Sequence, residues 1–434
     1  MTSALADAGR PAGSPVRVAL AGFGTVGRAV ARILVEHPPP HVRLTHIFNR
    51  NVERKRVDWV PSDVVWTDDI DAVFAAPIDV LVELVGGLEP AGTWVTRALE
   101  SGISVVTANK QLMAHRGAEL IALARRRRCH LRFEASVAGG IPIICSLRDG
   151  LAGDHISRIA GILNGTCNYV LTSMEHDGAS FADALQRAQE LGFAEADPTD
   201  DVEGYDARAK LAILCAVALQ AEVHPEDIAT RSITVVDAVD FAHAKRLGCT
   251  IRQVSQAQWD REGGCLRVAV RPALVPAESA LARVTGSQNI IVLRGCYGGE
   301  TVFSGHGAGG GPTSVAVVSD LAAVARQDPE RDLLSTTVKP TDISGEFVTP
   351  HYLRFVVRDR PGIIAAIAGA MDRYGINIDA VLQLPAPSKA ALPFVVTVEA
   401  CAPGTLANAM CDIGKLDVHV QPPIDLPILD GGPA

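Results

Sequence analysis

The chain reads as an α/β protein of three parts: a doubly wound parallel sheet, a second α/β domain with a mixed sheet, and a C-terminal βαββαβ module. Three observations predict this. A short apolar strand, Val16 to Ala21, runs straight into GFGTVG (Gly22 to Gly27) and then a helical pattern, RAVARILVEH. Further short apolar runs alternate with amphipathic segments as far as Val137, the pattern of strands joined by crossover helices. The last stretch repeats strand and helix in the order βαββαβ over about seventy residues.

The elements follow in order. After a loose tail over residues 1–15, the first domain spans 16–148. Its strands are expected at Val16 to Ala21, Leu44 to Phe48, Ile78 to Val85, Ser104 to Thr107 and Leu131 to Val137, with an amphipathic segment near Trp94 to Glu100. The Gly139-Gly140 pair then breaks the pattern. A second domain covers 149–326. It has a strand at Ile156 to Leu163, helices at Cys167 to Glu175, Phe181 to Leu191 and Lys210 to Ala221, and strands at Arg267 to Pro272 and Ile290 to Gly295. The glycine-rich HGAGGGPT (His306 to Thr313) leads into a helix, Ser314 to Arg326. Residues 327–349, rich in Pro, Thr, Asp and Gly, read as a linker. The final module covers 350–425. Its strands are His351 to Val357, Asn377 to Leu384, Pro393 to Ala400 and Val418 to Gln421, with helices from Pro361-Gly362 to Tyr374 and from Thr405 to Leu416. A Pro- and Gly-rich tail, 426–434, is expected to be disordered.

The composition narrows the function. With 434 residues there is room for two or three domains with ample core. A net charge of −9 argues against a nucleic-acid partner, and Arg125 to Arg128 reads as the charged C-terminal end of a helix. Nine cysteines without a CxxC pair suit reduced thiols and a cytoplasmic setting. No apolar run is long enough to span a membrane, and the first fifteen residues lack the apolar core of a signal peptide.

A glycine fingerprint is credible when it follows a strand and opens a helix, as here. Its glycines let the backbone approach a pyrophosphate at the helix N-terminus. This points to Gly22, Phe23, Gly24, Thr25, Val26 and Gly27 as cofactor-binding. At the end of the second strand, an acidic residue would hold the ribose hydroxyls of NAD. The chain instead has Asn49-Arg50-Asn51, with Arg54, Lys55 and Arg56 behind. Arg50 could pair with a 2′-phosphate, so NADP(H) is expected over NAD(H).

Acidic side chains crowd the stretch EADPTDDVEGYDARAK, Glu195 to Lys210, which runs into an apolar helix. Asp206 and Lys210 lie four apart at the helix start and share one face. A carboxylate beside an amine on a rigid element suits a site that grips a substrate ammonium and moves a proton. Asp197, Asp200 and Asp201 read equally as helix caps or loop-shaping groups. Lys110 closes TANK at a strand's C-terminal end, where ligands of open α/β sheets bind.

With these motifs placed, the chain from about 16 to 425 resembles monofunctional homoserine dehydrogenases with a C-terminal ACT domain. The resemblance rests on GFGTVG, VVTANK (Val105 to Lys110), FEASVAGGIPII (Phe133 to Ile144), GILNGTCNY (Gly161 to Tyr169), LGFAEADPTDDVEGYDARAK and GHGAGGGPT, in that order. It implies a Rossmann-type first domain and a second domain for substrate and dimerisation. The implied reaction is reversible reduction of L-aspartate 4-semialdehyde to L-homoserine, towards threonine, methionine and isoleucine. By resemblance Lys210 is the general acid or base, and Lys110 is a second catalytic group that also contacts the nicotinamide end. Glu195 and Asp206 hold the substrate ammonium, Asn164, Gly165 and Thr166 line the substrate, and Gly192 and Gly307 approach the cofactor. The family's monovalent cation, usually sodium, would sit at Glu134, Val137, Gly139 and Ile141. A base role for Lys210 would need a depressed pKa, which neighbouring carboxylates oppose and Lys110 assists. Two departures are Thr313-Ser314-Val315 for Thr-Ala-Ser and Arg231-Ser232-Ile233 for Glu-Gly-Ile.

Asp359-Arg360-Pro361-Gly362-Ile363 and Tyr374-Gly375-Ile376-Asn377-Ile378 resemble an ACT domain, which implies feedback inhibition with L-threonine as effector. The alternative is a module serving oligomerisation alone. The family also implies a homodimer or tetramer. Rival functions are a different amino-acid oxidoreductase, which EADPTDDVEGYDARAK opposes, and a non-catalytic amino-acid sensor. A sensor would carry a broken catalytic set, whereas Lys110, Glu195, Asp206 and Lys210 are all present.

Overall fold

Apolar residues without a polar break, apart from Arg17, make Val16–Ala21 (β1) a strand buried on both faces, as the middle of a parallel sheet requires. The computed structural model describes residues 14–327, 337–383 and 390–429. Around β1 lie Val42–Phe48 (β2), Val65–Thr67 (β3), Val80–Glu83 (β4), Ser104–Thr107 (β5) and Leu131–Arg132 (β6), all parallel, in the order β3-β2-β1-β4-β5-β6. Helix Thr25–Glu36 packs Val30 and Leu34 on one face of the sheet. Helices Ala91–Glu100 and Lys110–Arg127 pack Val95, Leu99, Leu112 and Leu120 into a separate cluster. Strand order reverses between β1 and β4, so their carboxyl ends open the crevice where doubly wound sheets bind ligands. The arginines Arg125 to Arg127 fill the last turn of their helix, as expected.

The second sheet holds Ile156–Ile162 (β7), Ala229–Thr230 (β8), Cys249–Asp260 (β9), Cys265–Pro276 (β10), Gln288–Gly295 (β11), Gly299–His306 (β12) and Asp342–Ser344 (β13). Its order is β12-β11-β7-β9-β10-β13, with β8 also on β10; β8 and β13 run parallel to β10 and the other pairs are antiparallel. Helices Gly165–Asp177 and Tyr205–Leu214 carry the substrate-side motifs over this sheet.

Several expectations need correction. Leu131 to Val137 is a strand for two residues only. At Glu134 the chain turns into a 3-10 helix, pinned where the Ser136 hydroxyl donates to the Phe133 carbonyl at 2.6 Å. The long strand β9 lies where no element is expected, because polar residues fill it: Arg252, Gln253, Ser255 and Gln256 are buried beside Ile251 and Val254. The expected linker 327–349 holds β13, whose backbone completes the edge of β10; residues 328–336 lie outside the described residues. The expected disordered tail is in part ordered, since the last strand runs on to Pro427 and Leu429 is buried.

That last strand belongs to the third sheet, Thr349–Val357 (β14), Ile378–Leu382 (β15), Leu392–Cys401 (β16) and His419–Pro427 (β17), antiparallel in the order β15-β16-β14-β17. β17 is an edge strand, and Pro422 and Pro423 fall in the register shift between Arg354↔Ile424 and Val356↔Gln421, where β14 pairs with neither of them. Helices Ile363–Arg373 and Pro403–Gly414 pack Ile367, Met371, Leu406 and Ile413 with Phe355 and Val396. The other face joins the second domain: Tyr352, Val395, Ile424 and Leu426 share one apolar cluster with Met174, Phe241 and Leu274. At that junction Asp240, fully buried in helix Ala238–Arg246, accepts from the Tyr352 hydroxyl at 2.6 Å and from Arg354 Nη1 at 2.5 Å. The departure at Arg231-Ser232 lies here too. Arg231 Nη1 is 2.9 Å from Asp425 Oδ1, and the Ser232 hydroxyl donates to the Val202 carbonyl at 3.1 Å.

Candidate active site

The fingerprint forms the turn its spacing demands. Gly22 sits at φ +112°, where a Cβ would stand 2.9 Å from the Leu84 carbonyl oxygen, and a Cβ on Gly27 would come within 2.2 Å of the Gly22 oxygen. Gly24 faces open space, and as N-cap of Thr25–Glu36 it offers no side-chain partner to the free helix N–H groups. That is the cradle a pyrophosphate fills. A cleft of about 530 Å³ opens here, lined by Phe23, Gly24, Thr25, Arg28, Asn51, Arg54, Lys55 and Val57. Its cationic side chains are thus Arg28, Arg54 and Lys55. Arg50, the expected phosphate partner, is exposed in the turn after β2 and is not in this lining, because the short helix Val52–Lys55 brings the later basic residues round instead. Val26 is half-buried at the helix start.

The substrate-side motifs meet at one carboxylate. Asp206 lies in the first turn of helix Tyr205–Leu214, and Lys210 follows one turn later with its Nζ 2.7 Å from Asp206 Oδ2. Lys110, the first residue of its own helix, comes from the other domain to bond Asp206 Oδ1. Asn164, the N-cap of Gly165–Asp177, uses Oδ1 to accept from the Cys167 N–H. Its Nδ2 reaches Asp206 Oδ2 at 2.8 Å and Asp201 Oδ1 at 2.6 Å. Lys210 also donates to the Leu163 carbonyl at 2.8 Å. Asp206, Lys210 and Asn164 are buried, while Lys110 is part-exposed at the domain boundary.

Electrostatics follow from that convergence. Burial would raise the Asp206 pKa, but the charges of Lys210 and Lys110 outweigh it and hold the carboxyl well below the usual range. Burial would lower the Lys110 pKa, but Asp206, with Asp201 and Asp200 behind it, keeps it above the ordinary lysine value. Asp201 moves the other way: burial raises it, aided by the Asp206 charge, despite the bond from Asn164. An ammonium has three donors. Two of those on Lys210 go to Asp206 and Leu163, which leaves one for a substrate oxygen.

The acidic stretch divides. Asp197 accepts from the Thr199 N–H and hydroxyl and so shapes its own turn, Asp200 is exposed, and Asp201 belongs to the buried network. Glu195 is exposed, and among the described residues its carboxylate makes no ion pair. Its turn is tied to the site through the Thr166 hydroxyl, which donates to the Phe193 carbonyl at 2.7 Å, and through Tyr169 packed on Phe193. Gly192 is exposed in that same turn. Gly165 lies so close to β11 that a Cβ would stand 2.7 Å from the Ser287 oxygen.

Gly307 is held to its identity by a residue that sequence reasoning missed. A Cβ there would fall 2.0 Å from Asn289 Nδ2, which donates at 2.9 Å to the same Leu163 carbonyl that Lys210 uses. A polar residue opening an apolar strand was the available signal. The loop of Glu134, Val137, Gly139 and Ile141 packs against this region, with Gly139 N–H on the Gly307 carbonyl at 2.9 Å. Both carboxylate oxygens of Glu134 accept backbone N–H groups, from Ile144 at 2.8 Å and Cys145 at 2.7 Å. Among the described residues no three His, Cys, Asp or Glu side chains cluster as a metal cage.

Three family models match: a homoserine dehydrogenase model over residues 142–322, a homoserine dehydrogenase NAD-binding domain over 22–134, and an ACT domain over 351–409. A homoserine dehydrogenase of Bacillus subtilis is 37% identical over 403 residues, covering 88% of this chain and 91% of that protein. One from Mycobacterium bovis is 40% identical over 385 residues, covering 85% and 86%. Among solved structures, a homoserine dehydrogenase from Thiobacillus denitrificans superposes with a TM-score of 0.88 at 34% identity, over 96% of this chain and 99% of that one. A hyperthermophilic archaeal homoserine dehydrogenase in complex with NADPH matches with a TM-score of 0.63 at 30% identity, over 73% and 99%.

Proposed function

The chain belongs to the homoserine dehydrogenase family, with an NAD(P)-binding domain and an ACT domain, and on that premise we propose that Lys210 moves the proton as L-homoserine and L-aspartate 4-semialdehyde interconvert. The observation that carries this is the meeting of Lys110 and Lys210 on Asp206 at the boundary of the two domains. When bound, the nicotinamide supplies or accepts the hydride. In reduction, the free donor of Lys210 gives its proton to the aldehyde oxygen, and Lys110 polarises that oxygen. In oxidation, Lys210 takes the proton back from the hydroxyl. Asp206, Asp201 and Glu195 hold the substrate ammonium, with Asn164, Gly165 and Thr166 fixing the pocket. The test is reduction of NADP+ driven by L-homoserine with the purified protein; no reduction with either NADP+ or NAD+ would refute the reading.

NADP(H) is the preferred cofactor. Arg28, Arg54 and Lys55 support this as a cationic rim for a 2′-phosphate, and an archaeal relative binds NADPH. Gly192, Gly307 and Lys110 face it from the substrate side. A sodium ion would be held by Glu134, Val137, Gly139 and Ile141. Each Glu134 carboxylate oxygen accepts one backbone N–H and keeps a lone pair, so it can join the backbone carbonyls of this turn as the oxygen donors a hard monovalent cation takes. The ion would stiffen this loop where Gly139 meets Gly307, and exchange of sodium for choline is expected to lower thermal stability.

The ACT domain is the site of feedback inhibition by L-threonine, consistent with a step towards threonine, methionine and isoleucine. Its shared core with the helix that begins at Gly165 supports a physical route to the site. Inhibition of the intact enzyme by L-threonine tests this, and indifference to it would leave the module an assembly role. We expect a homodimer or tetramer working in the cytoplasm; no described helix is long and apolar enough to cross a membrane.

A further inference from the structure

Glu83 is the last residue of β4, at the point where strand order reverses, and it is fully buried. Its Oε1 accepts the N–H groups of Val85 at 2.8 Å and Gly86 at 2.9 Å, and its Oε2 accepts the Thr107 hydroxyl at 2.6 Å. Three donors converge on this side chain, which is what an ionised carboxylate, an acceptor only, requires. The relay continues. Thr107 Oγ1 accepts the Asn109 N–H at 3.0 Å. Asn109 then ties its Nδ2 to the Gly87 carbonyl at 2.7 Å and caps the next helix by accepting from Leu112 N–H at 3.0 Å. Lys110 is the first residue of that helix.

We propose that Glu83 is a positioning residue that fixes Lys110 against Asp206 by fastening the 84–87 loop to the TANK turn. The polarity of the chain is set end to end: Asn109 N–H to Thr107 Oγ1, and Thr107 O–H to the Glu83 carboxylate. The same loop backs the fingerprint, since a Cβ on Gly22 would strike the Leu84 oxygen. One buried carboxylate therefore aligns the wall of the cofactor crevice with the lysine that crosses to the substrate domain. An amide in its place would face the Thr107 hydroxyl with an NH2 group that cannot accept its proton, so the hydroxyl would have to turn and the polarity of the relay would be lost at Thr107. The inference rests on Lys110 belonging to the active site.

The test is a cycle in the full-length enzyme with Glu83→Gln, Thr107→Val, Thr107→Ser and Lys110→Ala. Melting temperature, cofactor affinity, kcat and KM are read for each. Glu83→Gln is expected to lower kcat about tenfold or more, as small misplacements of catalytic groups do. In the Lys110→Ala background the same change should add almost nothing, because coupled residues are non-additive. Thr107→Val spares the two backbone bonds of Glu83 and the Asn109–Gly87 bond but removes the hydroxyl that joins Glu83 to the Asn109 N–H, so it should reproduce the loss even if Glu83→Gln does not fold. Thr107→Ser, which keeps the hydroxyl, should restore the turnover that Thr107→Val loses. Equal losses in both backgrounds, or a fall in melting temperature with kcat intact, would overturn the proposal. Full turnover by Lys110→Ala would instead remove the reading of Lys110 on which it rests.

Discussion

Lys210 stands one helical turn beyond Asp206, its Nζ 2.7 Å from Oδ2, while the other oxygen of that carboxylate is taken by Lys110 from the dinucleotide domain. A single buried side chain therefore orients Lys210 and couples the two domains. Breaking a buried pair by neutralising one partner is costly, because the remaining charge stays buried without compensation.

Lys210→Ala should lower kcat by about a thousandfold or more, in the range lost with a general acid–base group. Cofactor affinity, measured by fluorescence titration, should stay near the parent value because the fingerprint lies in the other domain. Asp206→Asn should differ in kind. It leaves two ammonium groups facing a neutral amide, so it should lower thermal stability as well as turnover. Parent-like turnover in Lys210→Ala would remove the assigned role.

The cationic rim predicts a selectivity change. Arg54→Ala and Lys55→Ala should each raise KM for NADP+ severalfold to about tenfold, the scale of a charge-assisted phosphate contact, and leave KM for NAD+ nearly constant. Arg50→Ala should do less, since Arg50 lies outside the cleft lining. Equal effects on both cofactors would show that these residues do not read a 2′-phosphate.

Much of this was legible in the sequence because it is local. The fingerprint, TANK and the Asp206–Lys210 spacing all depend on neighbours within a turn or two. What was not legible depends on distant partners. Arg50 and Arg54 look equivalent until a short helix turns one of them towards the cleft. β9 lacks the apolar pattern that marks a strand, because Arg252, Gln253 and Gln256 are polar residues buried by elements far along the chain. Arg231-Ser232, a mere departure from the family pattern, becomes a junction once Asp425 and Val202 close on it. The tail from 426 is expected to be disordered from its prolines and glycines, yet the last strand runs on to Pro427 beside β14.

Gly307→Ala should be severely damaging for a steric reason. Its Cβ would overlap the Asn289 amide, whose donor serves the Leu163 carbonyl shared with Lys210. Melting temperature and cofactor affinity should both fall. Asn289→Ala alone should be milder, and combining it with Gly307→Ala should recover part of the loss, because the shorter side chain vacates the space. Strictly additive damage in the double variant would show that the glycine is required for another reason.

Acid stability should depend on Asp425. Burial would raise its pKa, but His351 and Arg231 outweigh burial and hold it at about 2. An unfolded aspartate titrates near ~3.9. The folded pKa is depressed, so the stabilisation is fully present above the unfolded value and is lost as pH falls through the folded one. About a third of the side chain remains exposed, so solvent screening keeps the effect modest. The unfolding free energies of the parent and Asp425→Asn, measured in urea at a series of pH values, should differ fully near about pH 5, where the unfolded carboxyl is already ionised. The gap should close between there and pH about 2, where the parent carboxyl takes up its proton. A gap that persists unchanged to the lowest pH would mean that Asp425 joins the ACT domain to Arg231 through packing and not through its charge.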